Sequence, residues 1–152
     1  MNQYIIYTDG SCKGNPGPGA AAIVITSPDG TIVKEYAKGY PHTTNNRMEM
    51  SAAIAALNAV PDADVTIITD STYVYKGITE WIHNWKKKGW KSSTGKQVEN
   101  IDLWQKFDKA VAEYTGKIKW KVVKGHAGNP GNERADVLAQ VTASQTADSI
   151  RE

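Results

Sequence analysis

Tyr4 to Asp9 (YIIYTD) is apolar at odd and even positions alike until it ends in aspartate, the pattern of a central strand buried on both faces. A chain with such a strand needs cover on both sides of a sheet. A Gly/Pro-rich loop follows at residues 10–19 (GSCKGNPGPG). Residues 20–26 read as a second strand. Asp29-Gly30 marks a hairpin turn, and residues 31–39 read as a third strand, completing an antiparallel meander.

The period then changes. Over residues 45–60, Met50, Ala53, Ile54 and Leu57 form one helical stripe, and Pro61 ends it. Residues 65–70 (VTIITD) are again a strand ending in aspartate. Strand, helix, strand in that order favours a right-handed crossover and a parallel pairing. Residues 71–85 read as a helix bent near Gly77, with a basic break over 86–91 (KKKGWK). Residues 100–114 form a helix with Ile101, Trp104, Phe107 and Val111 on one face. Residues 118–123 give a fifth strand, GHAGNPGN a flexible loop, and a last helix starts at Glu133 and is expected to fray after Thr146. The expectation is a five-stranded mixed sheet flanked by helices, α/β or α+β, in one domain over residues 1–152.

Composition agrees with a folded chain: 40% of the 152 residues are hydrophobic and 22% charged. Cys12 is the only cysteine, which excludes an internal disulfide framework and a cysteine-built zinc site. The N-terminal run has neither a basic n-region nor an apolar h-region, so no signal peptide is expected, and no apolar stretch nears the ~20 residues of a membrane span. A cytoplasmic monomer with no membrane contact is expected. The net charge of +2 hides an asymmetry: residues 76–124 carry twelve Lys against five acidic residues, and the remainder is net acidic. A basic segment beside an acidic remainder points to a polyanion for the first and to metal for the second. The alternative is a solvated lysine surface.

Ligands of mixed sheets lie beyond the carboxyl ends of parallel strands, where Asp9 and Asp70 both fall. Two neighbouring carboxylates repel each other unless a proton, a basic partner or a divalent cation relieves them. Hard oxygen ligands suit Mg²⁺, with Mn²⁺ able to substitute. Each aspartate alone is also explained by turn preference. Glu49 sits at the edge of its helix's apolar stripe, from which it can lean toward the sheet. Asp136 is ambiguous: a stripe centred on Leu138 points it away, whereas a face through Ala139 and Ala143 includes it. GxxxxGK[ST], GxSxG and HExxH are all absent.

TDGSCKGNPGPGA, TTNNRMEM, TDSTYV, WIHNWKKKGWK, ENIDLWQKFD and VKGHAGNPGNERAD, in order over residues 4–139, resemble the successive motifs of type 1 ribonuclease H of the bacterial kind. The resemblance implies an endonuclease that hydrolyses the RNA strand of RNA–DNA hybrids with two Mg²⁺ ions, leaving 5′-phosphate and 3′-hydroxyl ends. It implies that Asp9, Glu49, Asp70 and Asp136 are the metal ligands and that His126 assists turnover. It also implies that Asn15, Asn45, Asn46 and the backbone near Cys12 read RNA 2′-hydroxyls, with turn or N-cap chemistry as the competing role. Lys86, Lys87, Lys88 and Lys91 would track phosphates, and one or more of Trp81, Trp85 and Trp90 would pack on the DNA sugars. Thr44 and Asn100 match a DNA-phosphate pocket. Three positions depart from the common pattern: His42 stands where many relatives carry Arg, Thr72 replaces an amide, and Glu99 replaces a Lys. A module that holds hybrids without cutting, or another nuclease or strand-transfer enzyme of the same fold, are the alternatives. The full set of four acids speaks against the first and the asparagine loops and basic tract against the second.

Overall fold

The computed structural model describes residues 2–125 and 128–151. Five strands, β1 (Asn2–Cys12), β2 (Gly17–Thr26), β3 (Ile32–Thr43), β4 (Ala63–Thr69) and β5 (Ile118–Val122), form one mixed sheet in the order β3-β2-β1-β4-β5. β1, β2 and β3 pair antiparallel, and β4 pairs parallel with β1 and with β5. This is the α+β arrangement expected from the sequence.

The helices are α1 (Asn45–Ala59), α2 (Thr72–Lys76), α3 (Ile82–Lys87), α4 (Ile101–Glu113) and α5 (Pro130–Arg151). α1 and α4 cover one face, over a core of Ile6, Ile23, Ile67, Met50, Leu57, Trp104 and Phe107. α5 lies on the other face over β1, β2 and β3. There the contact is made of small residues: Ala20 and Ala22 of the sheet and Ala135, Ala139 and Ala143 of the helix are fully buried. A Cβ on Gly39 would strike Thr146 Oγ1 at 1.9 Å, so the helix seats as closely as glycine allows. No helix of the described residues is long and apolar enough to cross a membrane.

Several boundaries differ from the sequence reading, each for a physical reason. β1 runs on through Asp9 to Cys12, paired to β2 down to Cys12↔Gly19, so half of the expected 10–19 loop is a hairpin. Its small residues mark a close approach by α1 instead of a turn. β3 reaches Thr43 although it contains Pro41, which an edge strand tolerates. The bend expected at Gly77 is a π-helical turn, Gly77–Trp81, joining α2 to α3. A Cβ on Gly77 would lie 2.0 Å from the Trp104 ring, so the helix widens where it crosses that indole. Lys86 and Lys87 belong to the last turn of α3, where cations suit the helix dipole, and the break starts at Lys88, followed by left-handed Gly89 and Trp90. α5 starts at Pro130, with Asn129 Oδ1 accepting the Asn132 N–H at 3.1 Å, and it continues to Arg151, past the point where fraying is expected.

Candidate active site

The parallel register sets the site. β1 and β4 pair as far as Tyr7↔Ile68, which brings Asp9 and Asp70 level one alternation further on. Asp9 is not at the end of its strand but two residues past the part that pairs with β4. Glu49 enters from the first turns of α1, whose N-cap is Thr44: its hydroxyl accepts the Arg47 N–H at 3.2 Å. Glu49 leans toward the sheet, as its place at the stripe's edge allows, and is buried. The backbone N–H of Gly10 donates to Asp9 Oδ1 at 2.9 Å and also to Glu49 Oε1. A Cβ on Gly10 would fall 2.5 Å from the Glu49 backbone nitrogen, so only glycine lets α1 come this near.

Asp9, Glu49 and Asp70 each offer a carboxylate oxygen within 4.8 Å of the others. The buried face of α5 is Asn132, Ala135, Ala139 and Ala143, which leaves Asp136 half-buried and beside the cluster, close enough to act on Asp9. The face through Ala139 and Ala143 is therefore the one adopted. Asp136 Oδ2 also accepts from Gln140 Nε2 at 3.0 Å. Burial, and then the Asp70 and Asp136 carboxylates, push Asp9 up to about 7 against an opposing bond with Glu49. Burial, and then the Asp9 and Asp70 carboxylates, push Glu49 well above the usual carboxylate range. Asp9 Oδ2 and Glu49 Oε2 are buried with no hydrogen-bond partner. Buried carboxylate oxygens without donors, converging from three elements, fit a hard divalent cation better than a hydrogen-bonded structural cluster.

The expected substrate residues are distributed around this centre. Asn15 Oδ1 accepts the Asn45 N–H at 2.9 Å, joining the 13–16 loop to the start of α1, and Asn15, Asn45 and Asn46 are all exposed. The helix cap is Thr44, so Asn45 is free of the capping role that competes for it. The Cys12 thiol is half-buried and lies 3.4 Å from the carbonyls of both Gly17 and Thr43. Asn100, left-handed at φ 58°, donates to the Tyr73 hydroxyl at 3.2 Å and accepts from Arg47 at 3.3 Å. Trp81 is exposed, whereas Trp85 packs on Trp104 at 5.3 Å between ring centres, and Trp90 is half-buried against the core. Lys87, Lys88 and Lys91 are exposed, while Lys86 pairs with Asp108 at 3.2 Å. His42, Thr72 and Glu99 are exposed. His126 lies outside the described residues.

Three participants escape the sequence reading: Gly10, Arg47 and Tyr73. Arg47 makes a two-pronged pair with Asp102, at 2.9 and 2.7 Å, while also holding Asn100. Tyr73 receives both Asn100 and the Trp104 indole N–H, at 3.2 and 3.1 Å. All three sit inside the quoted motifs, but nothing in their spacing reveals partners 27 to 55 residues away.

The RNase H family model matches residues 1–144. The chain is 53% identical to "Ribonuclease H" of Acidovorax sp. (strain JS42) over 95% of its own length and 97% of that protein's. It is 52% identical to "Ribonuclease H" of Klebsiella pneumoniae (strain 342), over 99% and 96%. Among solved structures it resembles LC9-RNase H1, described as a type 1 RNase H with the type 2 active-site motif, at TM-score 0.83 and 36% identity over 96% of this chain and 74% of that one. It also resembles LC11-RNase H1 in complex with an RNA/DNA hybrid, at TM-score 0.72 and 25% identity, over 93% and 97%.

Proposed function

The chain belongs to the RNase H family, and from that premise we propose that it is an endonuclease hydrolysing the RNA strand of RNA–DNA hybrids, with Asp9, Glu49, Asp70 and Asp136 holding the metal and water leaving 5′-phosphate and 3′-hydroxyl ends. The observation that carries this is the convergence of Asp9, Glu49 and Asp70 within 4.8 Å, with donor-free buried oxygens on two of them. Two Mg²⁺ ions at these carboxylates would supply charge neutralisation at the attacked phosphate and at both the entering and leaving oxygens.

The chain's own groups do the rest. Gly10 N–H orients Asp9 and Glu49 from one point, so both carboxylates keep a fixed aspect. Asp136, on a separate helix, adds further negative charge at Asp9. No lysine or arginine of the described residues pairs with Asp9, Glu49 or Asp70, so no described basic side chain competes with a cation for them. Asn15, Asn45 and Asn46 present amides that both donate and accept, as recognition of a 2′-hydroxyl requires. With its Oδ1 taken by Asn45, Asn15 retains its NH₂ for a donor role. Thr44, whose oxygen already accepts from the Arg47 N–H, keeps its hydroxyl proton for a phosphate. Trp81 offers an exposed ring for DNA sugars, and Lys87, Lys88 and Lys91 unpaired charge for phosphates. The protein acts as a cytoplasmic monomer in this reading.

Incubation with Mg²⁺ and matched RNA–RNA, DNA–DNA and RNA–DNA duplexes tests the proposal. Shortening of the RNA strand in the hybrid alone is expected. Cleavage of DNA–DNA, or binding of the hybrid without cleavage, contradicts it.

A further inference from the structure

β5 is an edge strand with one face packed and one face open. Ile118 and Trp120 turn toward the core, with Trp120 against Phe107 at 5.5 Å between ring centres. Lys119 and Lys121, alternating with them, face the other way and are exposed, as is Lys117 just before the strand. The register places Ile5, Thr66 and Lys119 on one line, and Tyr7, Ile68 and Lys121 on the next. Tyr7 meets Gly131 of α5, so this is the α5 face of the sheet, but α5 lies over β1 to β3 and leaves β5 uncovered. An open depression of about 570 Å³ lies at the end of this row away from Asp70, bordered by Gln3, Ile5, Asp64, Thr66, Lys117 and Lys119.

Three features define what fits. The lysines stand two strand rises apart, about 6.6 Å, in a regular row of like charge that suits a polyanionic backbone. Lys117, Lys119 and Lys121 have no carboxylate within ion-pair distance among the described residues, unlike Lys86, Lys109, Arg47 and Arg134. The row also has a direction. Lys121 is level with Ile68, two residues before Asp70, whereas the far end meets Asp64, whose carboxylate accepts the Lys117 N–H at 2.9 Å. Positive charge thus leads away from the acidic centre and ends at an acid.

Resting on the hydrolase reading above, we propose that Lys119 and Lys121 bind the phosphates of a single-stranded continuation of the RNA strand as it leaves the acidic centre. No aromatic residue of β5 lies on this face, so contact is to the backbone and not by base stacking. A single strand follows the twist of β5 without the bending cost that a stiff duplex carries.

The test compares a short blunt hybrid with the same hybrid bearing a single-stranded RNA overhang, at one end or the other, using wild type, K119Q/K121Q and K119R/K121R. Wild type is expected to show a KM several-fold lower for one of the overhang substrates at moderate salt. K119Q/K121Q should erase that gain and reduce the salt slope by about 1.4, at ~0.7 per phosphate contact on a single strand. K119R/K121R should restore it, and the blunt hybrid should be cut alike by all three. A gain that survives K119Q/K121Q, no gain at either end, or an equal lysine-dependent gain from a DNA-strand overhang or a duplex extension would overturn the inference while leaving the hydrolase reading standing. A wild-type chain that cuts no blunt hybrid overturns both.

Discussion

Gly10 and Glu49 are joined through the backbone: the Gly10 N–H donates to the Glu49 carboxylate, at a separation that leaves no room for a side chain on residue 10. The acid of one element is thus fixed by the main chain of another, and the whole of α1 is drawn onto β1 at that point.

Gly10→Ala should therefore damage both stability and catalysis. Its Cβ would meet backbone at 2.5 and 2.6 Å, which neither element can yield cheaply, and overpacking of this kind costs about 1–3 kcal/mol. Gly30→Ala is the control. Gly30 has φ +92° but open space around it, so that change should cost about 1 kcal/mol and leave the rate intact. Urea denaturation of both variants, with hybrid cleavage measured on the folded fraction, checks the contrast.

Stability without divalent metal should fall as pH rises from about 4 to 7. Asp9 keeps its proton in the folded chain up to about 7, whereas the unfolded chain releases it near 3.8, so across that window the folded state binds more protons. Glu49, raised in the same way, adds to the slope. Asp9→Asn should flatten the dependence and raise Tm at pH 8, and Mg²⁺ should raise the wild-type Tm most above pH 7. Thermal melts from pH 4 to 8, with and without Mg²⁺, measure both effects.

Much of the fold was legible in the chain because hydrophobic period is local. Both central strands, the α1 stripe and the bend at Gly77 follow from spacing alone. The errors came where a residue type has two uses. Glycines at 10, 17 and 19 read as loop, yet all three lie in strands, where Gly10 and Gly19 leave room for Met48 and its neighbours. Asp136 could not be assigned a face, since α5 buries alanines while Val137, Val141 and Ile150 stay exposed. The Arg47–Asp102 pair was illegible for another reason: it joins α1 to α4 across 55 residues.

Arg47 should matter for substrate affinity more than for stability. Its partnership with Asp102 is between side chains 32% and 65% exposed, so a double-mutant cycle on the pair should give less than about 1 kcal/mol. Arg47 also holds Asn100, which donates to Tyr73. Arg47→Ala and Asn100→Ala should each raise KM for the hybrid by a similar factor with kcat little changed. A fall in kcat as large as the rise in KM would place them in the chemistry instead.

Replacing Lys87, Lys88 and Lys91 with Gln should raise KM and lower the salt slope by about 2–3, at ~0.9 per phosphate contact on a duplex. Lys86→Gln alone should do less, because Asp108 already engages that ammonium. An unchanged slope would return the tract to the status of a solvated surface.

Asp70→Asn tests the central claim most directly. It keeps size and hydrogen bonding while removing one of the three carboxylates that converge within 4.8 Å. Mg²⁺-dependent cleavage of an RNA–DNA hybrid, measured beside hybrid binding, is predicted to fall about 100-fold or more, the scale of losing one group that stabilises transition-state charge, with binding retained or tightened. Near-wild-type cleavage by a folded Asp70→Asn protein would contradict the assignment of this cluster as the catalytic centre.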